Sequence, residues 1–182
     1  MIRHLTLADY RAMPWANGRG TTLELARLDG PGGMIWRLSI ASVVENGPFS
    51  LFPGVDRILT VIDGPGFRLV GSGMAMAAAP GVPGAFPGDM ALAAWGVTAP
   101  SMDFNLMAAR DRCRASVTFL GMAPDNAVAQ TAILALDAGS VSLDGQARIL
   151  SRHDLLLLDQ GQIASVSGTQ LRCDLMVGTA GA

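Results

Sequence analysis

All thirteen cationic side chains of this chain are arginines, and there is no lysine. Arginine offers a fixed charge and a planar fork of donors that matches the two oxygens of a carboxylate. Several arginines stand beside small polar residues. In Trp36-Arg37-Leu38-Ser39, a strand would put Arg37 and Ser39 on one face and Trp36 and Leu38 on the other. Arg57 follows a block rich in glycine, proline and phenylalanine, and Asp103-Phe104-Asn105 offers a carboxyl and an amide two residues apart. Arg37 and Arg57 beside Asn17, Ser39 and Asn105 would hold a small carboxylate through charge-assisted bonds, with Thr22 carried in by the same loop as Asn17. Asp103 would hold one arginine in place or cap a strand end. Trp36 would be core or pocket wall. An unpaired buried arginine is costly, so Arg37 either lies at the surface or is paired in a polar pocket.

Other chemistries find less support. Pro14-Trp-Ala-Asn-Gly-Arg-Gly-Thr-Thr22 has two glycines but no P-loop lysine, and no buried strand precedes it. It also lacks the third glycine and the βαβ setting of a dinucleotide fingerprint. Asn17-Gly18 reads as a tight turn, which also presents Asn17 and Thr22 to a pocket if one lies nearby. Arg19 would point either at a ligand or at water. His153-Asp154 has no Gly-x-Ser-x-Gly elbow beside it and reads as a surface or turn histidine. Glu24 and Glu45 are the only glutamates, too few to argue an acid–base pair without geometry.

The elements that must position these residues are short. Half of the 182 residues are apolar, enough for a sizeable core in one domain or two small ones. Charge is sparse at 15%, the net charge is −2, and no basic stripe is present, which argues against a nucleic-acid partner. The N-terminus has no signal-peptide core and no apolar run reaches membrane-spanning length. The expectation is a cytoplasmic, bacterial-type protein that engages no membrane; a homodimer is left open. Cys113 and Cys173 have no metal spacing and lie in strand-like runs, as buried thiols or as a disulfide. Thr6-Leu-Ala-Asp9 has capping-box spacing and predicts a short helix from Leu7 to Met13, stopped by Pro14. Beyond it, glycine and proline cut the chain at short intervals, the pattern of an all-β sandwich or barrel. Only Met74 to Ala79 is ambiguous, helical by propensity but hemmed in by Gly73 and Pro80.

Internal similarity sharpens this. Aligning Asp63 with Asp137 puts Ile62 on Leu136, Phe67 on Val141 and Leu69 on Leu143, so each half reads strand, Asp-containing turn, strand. A second echo pairs Phe86-Pro-Gly-Asp89 with Arg152-His-Asp154. Shared turn chemistry alone also produces such matches. Duplicated small β-barrels of jelly-roll or cupin type would fit the order. The first cupin motif holds a metal with two histidines and a glutamate before a closing glycine. With Gly64 as that glycine, the glutamate position is Arg57 and the histidine positions are Ser50 and Phe52. Metal binding needs converging donors, and the chain has two histidines in all. No metal and no other cofactor is expected, and Arg57 points to an anion instead.

These segments together resemble the HutD/Ves family, named for the histidine-utilisation operon. The resemblance runs through Pro14 to Thr22 with Glu24, Trp36-Arg-Leu-Ser-Ile-Ala41, Gly47 to Arg57 without a gap, Phe86-Pro-Gly-Asp89, and Asp103-Phe-Asn-Leu-Met-Ala-Ala-Arg110. Ala16 and Arg19 depart from it, standing where relatives have lysine and glycine. The resemblance implies a cupin-like double β-barrel (a bicupin of jelly-roll type) with at most short helices. Residues 1–112 and 113–182 would be the approximate halves of one compact unit. It also implies a small anionic metabolite as partner, formylglutamate- or urocanate-like, and a regulatory role in histidine utilisation with no settled enzymatic activity. A cofactor-independent isomerase or lyase on a small acid or sugar, and a protein-interaction module, are the alternatives. The candidate ligand-binding residues are Asn17, Thr22, Trp36, Arg37, Ser39, Arg57, Asp103 and Asn105; no catalytic residue is assigned.

Overall fold

Short apolar runs between glycine and proline breaks pair as strands throughout the described residues. A computed structural model describes residues 2–15, 20–119, 130–143, 146–160, 162 and 165–178. Among these residues the chain is all-β, with one 3₁₀ turn, Leu7–Asp9, as its only helical element. The chain divides into two compact units: residues 11–113, and residues 1–10 together with 114–182. No helix among the described residues is long and apolar enough to cross a membrane.

The first strand, β1 (Arg3–Leu5), belongs to the second of these units. The predicted helix stops after one turn. Its cap does form, since Asp9 Oδ2 accepts from Thr6 N at 2.8 Å and from Thr6 Oγ1 at 3.0 Å. Arg11–Pro14 are instead β2, paired with β3 (Thr21–Gly30) from Arg11↔Glu24 to Pro14↔Thr21. Pairing with a neighbouring strand satisfies the backbone that the helix would have used. Proline is tolerated there because β2 is an edge strand.

The unit of residues 11–113 continues with β4 (Gly33–Val43), β5 (Gly47–Pro48), β6 (Val55–Asp63), β7 (Phe67–Gly71), β8 (Met74–Ala78), β9 (Gly84–Pro87), β10 (Ala93–Trp95) and β11 (Ser101–Ala109). One sheet has the order β2-β3-β4-β11-β6-β9 and the other β5-β10-β7-β8. Met74 to Ala78, ambiguous by propensity, is a strand because β7 pairs with it along its length. Leu59, Val61 and Phe86 from the first sheet meet Phe67, Leu69, Ala78 and Ala94 from the second in one apolar cluster. That interior also contains the candidate site.

The turn from β6 into β7 depends on Gly66. Its φ is +83°, and a Cβ there would lie 2.2 Å from the Ala78 carbonyl oxygen. Its N–H donates to the buried Ser101 Oγ at 2.9 Å. Gly66→Ala is expected to cost on the order of 3 kcal/mol, from backbone strain plus the clash. Gly73 has a similar φ of +74° but nothing near its missing Cβ. Gly73→Ala is therefore expected to cost only about 1 kcal/mol of strain. Chemical denaturation of the two variants checks this, and equal losses would contradict it.

The second unit carries β12 (Cys113–Phe119), β13 (Gln130–Ala135), β14 (Gly139–Leu143), β15 (Gln146–Leu150), β16 (Leu155–Asp159), β17 (Ser165–Val166) and β18 (Gln170–Val177). Its sheets have the orders β1-β16-β13-β18-β12 and β15-β14-β17. The strand plan of the first unit recurs: β4-β11-β6-β9 corresponds to β12-β18-β13-β16, and β10-β7-β8 to β17-β14-β15. The alignment of Asp63 with Asp137 respects this plan: Asp63 ends β6 just before the turn into β7, and Asp137 lies in the turn between the corresponding β13 and β14. The second echo does not, since Asp89 follows β9 whereas Asp154 precedes β16. Asp154 accepts from Ser151 N at 2.9 Å and bonds His4 Nε2 at 2.8 Å, next to the pairing of β1 with β16. His153 sits in that turn at φ +71°. Cys113 and Cys173 are both buried thiols.

Candidate functional site

Three neighbouring strands build the site by simple alternation. Along β11, Asp103, Asn105 and Met107 point to one face, and Phe104, Leu106 and Ala108 to the other. The ladder aligns them in rungs: Ala41–Asp103–Val61, Ser39–Asn105–Leu59 and Arg37–Met107–Arg57 across β4, β11 and β6. Thr22 on β3 extends the first rung through Ala41. The face holding Arg37, Ser39, Arg57, Asp103 and Asn105 lines a cavity of about 580 Å³, which Thr22 and Trp15 also border. That volume is in the range of small-molecule sites.

Arg57 dominates this cavity. It is only 5% exposed. Its Nη2 donates to Asn105 Oδ1 at 2.8 Å, and its guanidinium carbon lies 5.4 Å from the ring of Phe52, 5.3 Å from Phe49 and 5.0 Å from Phe86. Three aromatic faces partly replace the lost hydration of the cation. Its Nε has no hydrogen-bond partner among the described residues. Burial lowers its pKa to about 10, opposed by the charge of Asp103 and reinforced by that of Arg37, so it stays protonated near neutrality. Arg37 is half-buried, 5.7 Å from the Phe52 ring, with its Nε also unpartnered. Burial lowers its pKa as well, against the charge of Glu24.

The carboxyl expected to grip an arginine acts through an intermediary. Asn105 Nδ2 donates to Asp103 Oδ2, while Asn105 Oδ1 accepts from Arg57. The amide thus stands between cation and carboxyl. Asp103 is 1% exposed, and its Oδ1 has no partner among the described residues. Burial pushes its carboxyl up to about 7, against the Asn105 bond and the Arg57 charge.

Of the eight candidate residues, the fold brings Thr22, Arg37, Ser39, Arg57, Asp103 and Asn105 to the one cavity. Trp36 is not among them. Strand alternation turns it to the opposite face of β4, where it is 1% exposed, so it is core rather than pocket wall. Asn17, like Arg19, lies outside the described residues. The loop that carries them is closed at its base, where Trp15 N donates to Gly20 O at 2.8 Å. Thr22 Oγ1 accepts from Trp15 Nε1 at 2.9 Å. Sequence reasoning missed Phe49, Phe52 and Phe86 around Arg57, and Trp15 at the border. The Gly47 to Arg57 block contained two of the phenylalanines, and Phe52 entered the sequence reading only as a cupin histidine position.

The second unit shows what a compensated arginine looks like at the related place. In the alignment of Asp63 with Asp137, Arg57 falls on Thr131. Arg172, on the neighbouring strand β18, is buried there. Its Nε and Nη2 bond Asp174 Oδ1 at 2.8 and 2.7 Å, and Thr131 Oγ1 donates to the same oxygen at 3.0 Å. That cation is closed on a carboxylate; Arg57 meets an amide.

With this geometry the comparisons are informative. The family model described as HutD matches residues 7–175. The chain belongs to the HutD family. It is 36% identical over 165 residues to an uncharacterized 21.2 kDa protein in the hutC 3' region of Pseudomonas putida, covering 87% of each. It is 40% identical over 115 residues to protein Ves of Citrobacter koseri, covering 60% of each. Its fold is similar to that of HutD from Pseudomonas fluorescens SBW25 in a formate condition, with a TM-score of 0.84 and 32% identity over 98% of this chain and 100% of that one. A cupin 2 conserved barrel domain protein from Leptotrichia buccalis matches at TM-score 0.57 and 10% identity over 92% and 96% of the two chains, a likeness of fold alone.

The blocks shared with HutD relatives have physical jobs here. Gly47 to Arg57 supplies the aromatic seat and the cation. In Phe86-Pro-Gly-Asp89, Phe86 lies beside Arg57, and Asp89 accepts from Gly54 N at 2.6 Å and from Arg110 at 2.5 Å. Arg110 also bonds Asp56 at 2.8 Å, clamping the start of β6. The donor set of the cavity does not fit a divalent cation. It holds two guanidiniums, the amides of Asn46 and Asn105 and the carboxyls of Asp103 and Glu45, and no group of three His, Cys, Asp or Glu side chains converges among the described residues.

Proposed function

We propose that this HutD-family protein is a metal-free bicupin of jelly-roll type that binds a small carboxylate metabolite and thereby regulates histidine utilisation in the cytoplasm. The carrying observation is Arg57: a buried cation on three aromatic faces, held by an amide and not by a carboxylate, with Arg37 at the same cavity. Such a pair needs negative charge, and a carboxylate supplies it with matching fork geometry. The formate condition of the Pseudomonas fluorescens HutD structure and the hutC neighbourhood of the Pseudomonas putida relative support a carboxylate of the formylglutamate or urocanate kind. The double-barrel reading is supported by the strand plan common to the two units.

Thermal unfolding with formylglutamate, urocanate, glutamate and formate tests the reading. A ligand of this site stabilises the native state by mass action, about 2.7 kcal/mol at one hundred times its Kd. At least one of the four is expected to raise Tm by several degrees, and the same compound should leave an Arg57→Ala variant unmoved. Equal shifts, or none, in both proteins would sink the anion pocket.

A further inference from the structure

The cavity contains one carboxyl group that its cations do not need. Arg57 is held by Asn105, and Asp103 reaches Arg57 only through that amide. Asp103 lines the cavity, is 1% exposed and has no partner for Oδ1. A buried carboxylate with a bare oxygen would repel the very anion that the two arginines attract. A buried carboxylic acid with its proton on Oδ1 would instead need an acceptor, and an oxygen of the ligand is one.

We infer that Asp103 enters the complex as the carboxylic acid, donates from Oδ1 to an oxygen of the bound anion, and so makes ligand binding proton-coupled. This rests on the anion reading of the cavity and adds what that reading lacks, a group that selects for acceptor oxygens and for pH. The step is non-covalent and balanced. Above neutrality the ionised Asp103 takes one proton from solvent as the anion enters, which offsets one negative charge of the ligand.

The charged groups around Asp103 among the described residues come from the neighbouring strands and the cavity rim. Arg57 comes from β6 and Arg37 from β4, and both stay protonated throughout. Glu24 on β3 acts on Arg37, and Glu45 lies at the cavity border. The other sheet contributes only Gly47, Pro48 and Ala94 from its strands. Residues 11–113 contain no histidine, because the chain's two are His4 and His153. The one cysteine of that unit, Cys113, is pushed by burial up to about 11. The carboxyl that burial raises to about 7, on the cavity wall and with a bare oxygen, gains or loses its proton between pH 6 and 8.5.

The sign follows. Below pH 6 the group is already protonated and affinity is flat; above pH 7 each unit of pH weakens binding towards tenfold. From pH 6 to 8.5 the Kd is expected to rise roughly 30-fold for a group titrating near neutrality. N-formylglutamate is the probe, since its own carboxylates remain ionised across the range. Isothermal titration at pH 8 in two buffers of different ionisation heat should show uptake of close to one proton per molecule bound. Asp103→Asn keeps the shape and a donor but removes the titration, so its Kd should change less than threefold over the same range. A wild-type Kd that is flat with pH, or binding without proton uptake at pH 8, overturns the inference and leaves the anion pocket standing. If none of N-formylglutamate, urocanate, glutamate and formate binds the folded wild type at any pH, both readings fall.

Discussion

Replacing Arg57 by methionine is expected to abolish anion binding while leaving the protein about as stable as before. Arg57 is buried, and among the described residues its hydrogen bond is the one from Nη2 to Asn105. Removing a desolvated charged partner from a ligand costs about 2–5 kcal/mol, so affinity should fall roughly 30-fold or more. Stability obeys a different balance. A buried ion costs several kcal/mol of desolvation, and replacing it with an apolar residue of similar volume is often neutral or stabilising. Methionine would fill the space between Phe49, Phe52 and Phe86 and make favourable contacts with the rings. Against this, Asn105 Oδ1 loses its donor, at about 1–3 kcal/mol. Tm should therefore stay within about 5 °C of the wild type. Arg57→Ala, by contrast, opens a void among the three rings and should lower stability by about 2–4 kcal/mol. Tm measurement with titration of N-formylglutamate separates the two. A methionine variant that binds as tightly as the wild type would show that the cation is structural. One that does not fold would show that its charge holds the unit together.

This separation of roles was legible in the sequence only in part. Alternation alone sorts Arg37 and Ser39 from Trp36 and Leu38, and the motif register turns Arg57 inward. The identity of the face that lines a cavity, however, depends on which strands pair. Asp103, Ser39 and Thr22 are far apart in sequence and meet because β3, β4 and β11 are neighbours. The aromatic seat of Arg57 was hidden for a related reason. Phenylalanines are common in cores, and nothing local tells a ring packed on a cation from one packed on leucine. Asp103 is the instructive miss. A carboxyl near an arginine reads as its clamp, yet Asn105 occupies the intervening position, and the carboxyl is left with burial as its main influence. The helix predicted from Leu7 to Met13 failed from the opposite cause. Its local cap forms, but pairing of Arg11–Pro14 with β3 overrides the local preference.

The two faces of β4 allow the sharpest test of that sorting, because adjacent residues should fail in opposite ways. Trp36 is among the largest fully buried side chains, and its cross-strand neighbour is Ala108. Arg37, one residue on, lines the cavity. Trp36→Ala should cost about 3–5 kcal/mol, the range for emptying a buried aromatic site. The indole Nε1 has no partner in the protein, so no lost hydrogen bond adds to the cavity term, and Trp36→Phe should cost less. At a temperature where each variant is folded, its affinity for N-formylglutamate should match the wild type. Arg37→Met should do the reverse: little change in Tm, because a half-buried cation is replaced by a side chain of similar length, and affinity weaker by roughly tenfold through loss of one charge-assisted contact. Denaturation curves and titrations on the same samples give both quantities. If Trp36→Phe weakened binding while Tm held, Trp36 would belong to the pocket after all, and the cavity would have to reach through the sheet. The alternation of buried apolar and cavity-lining polar residues along β11 allows no such passage: Phe104 and Leu106 are fully buried on the face of Trp36, on either side of Asn105 in the chain.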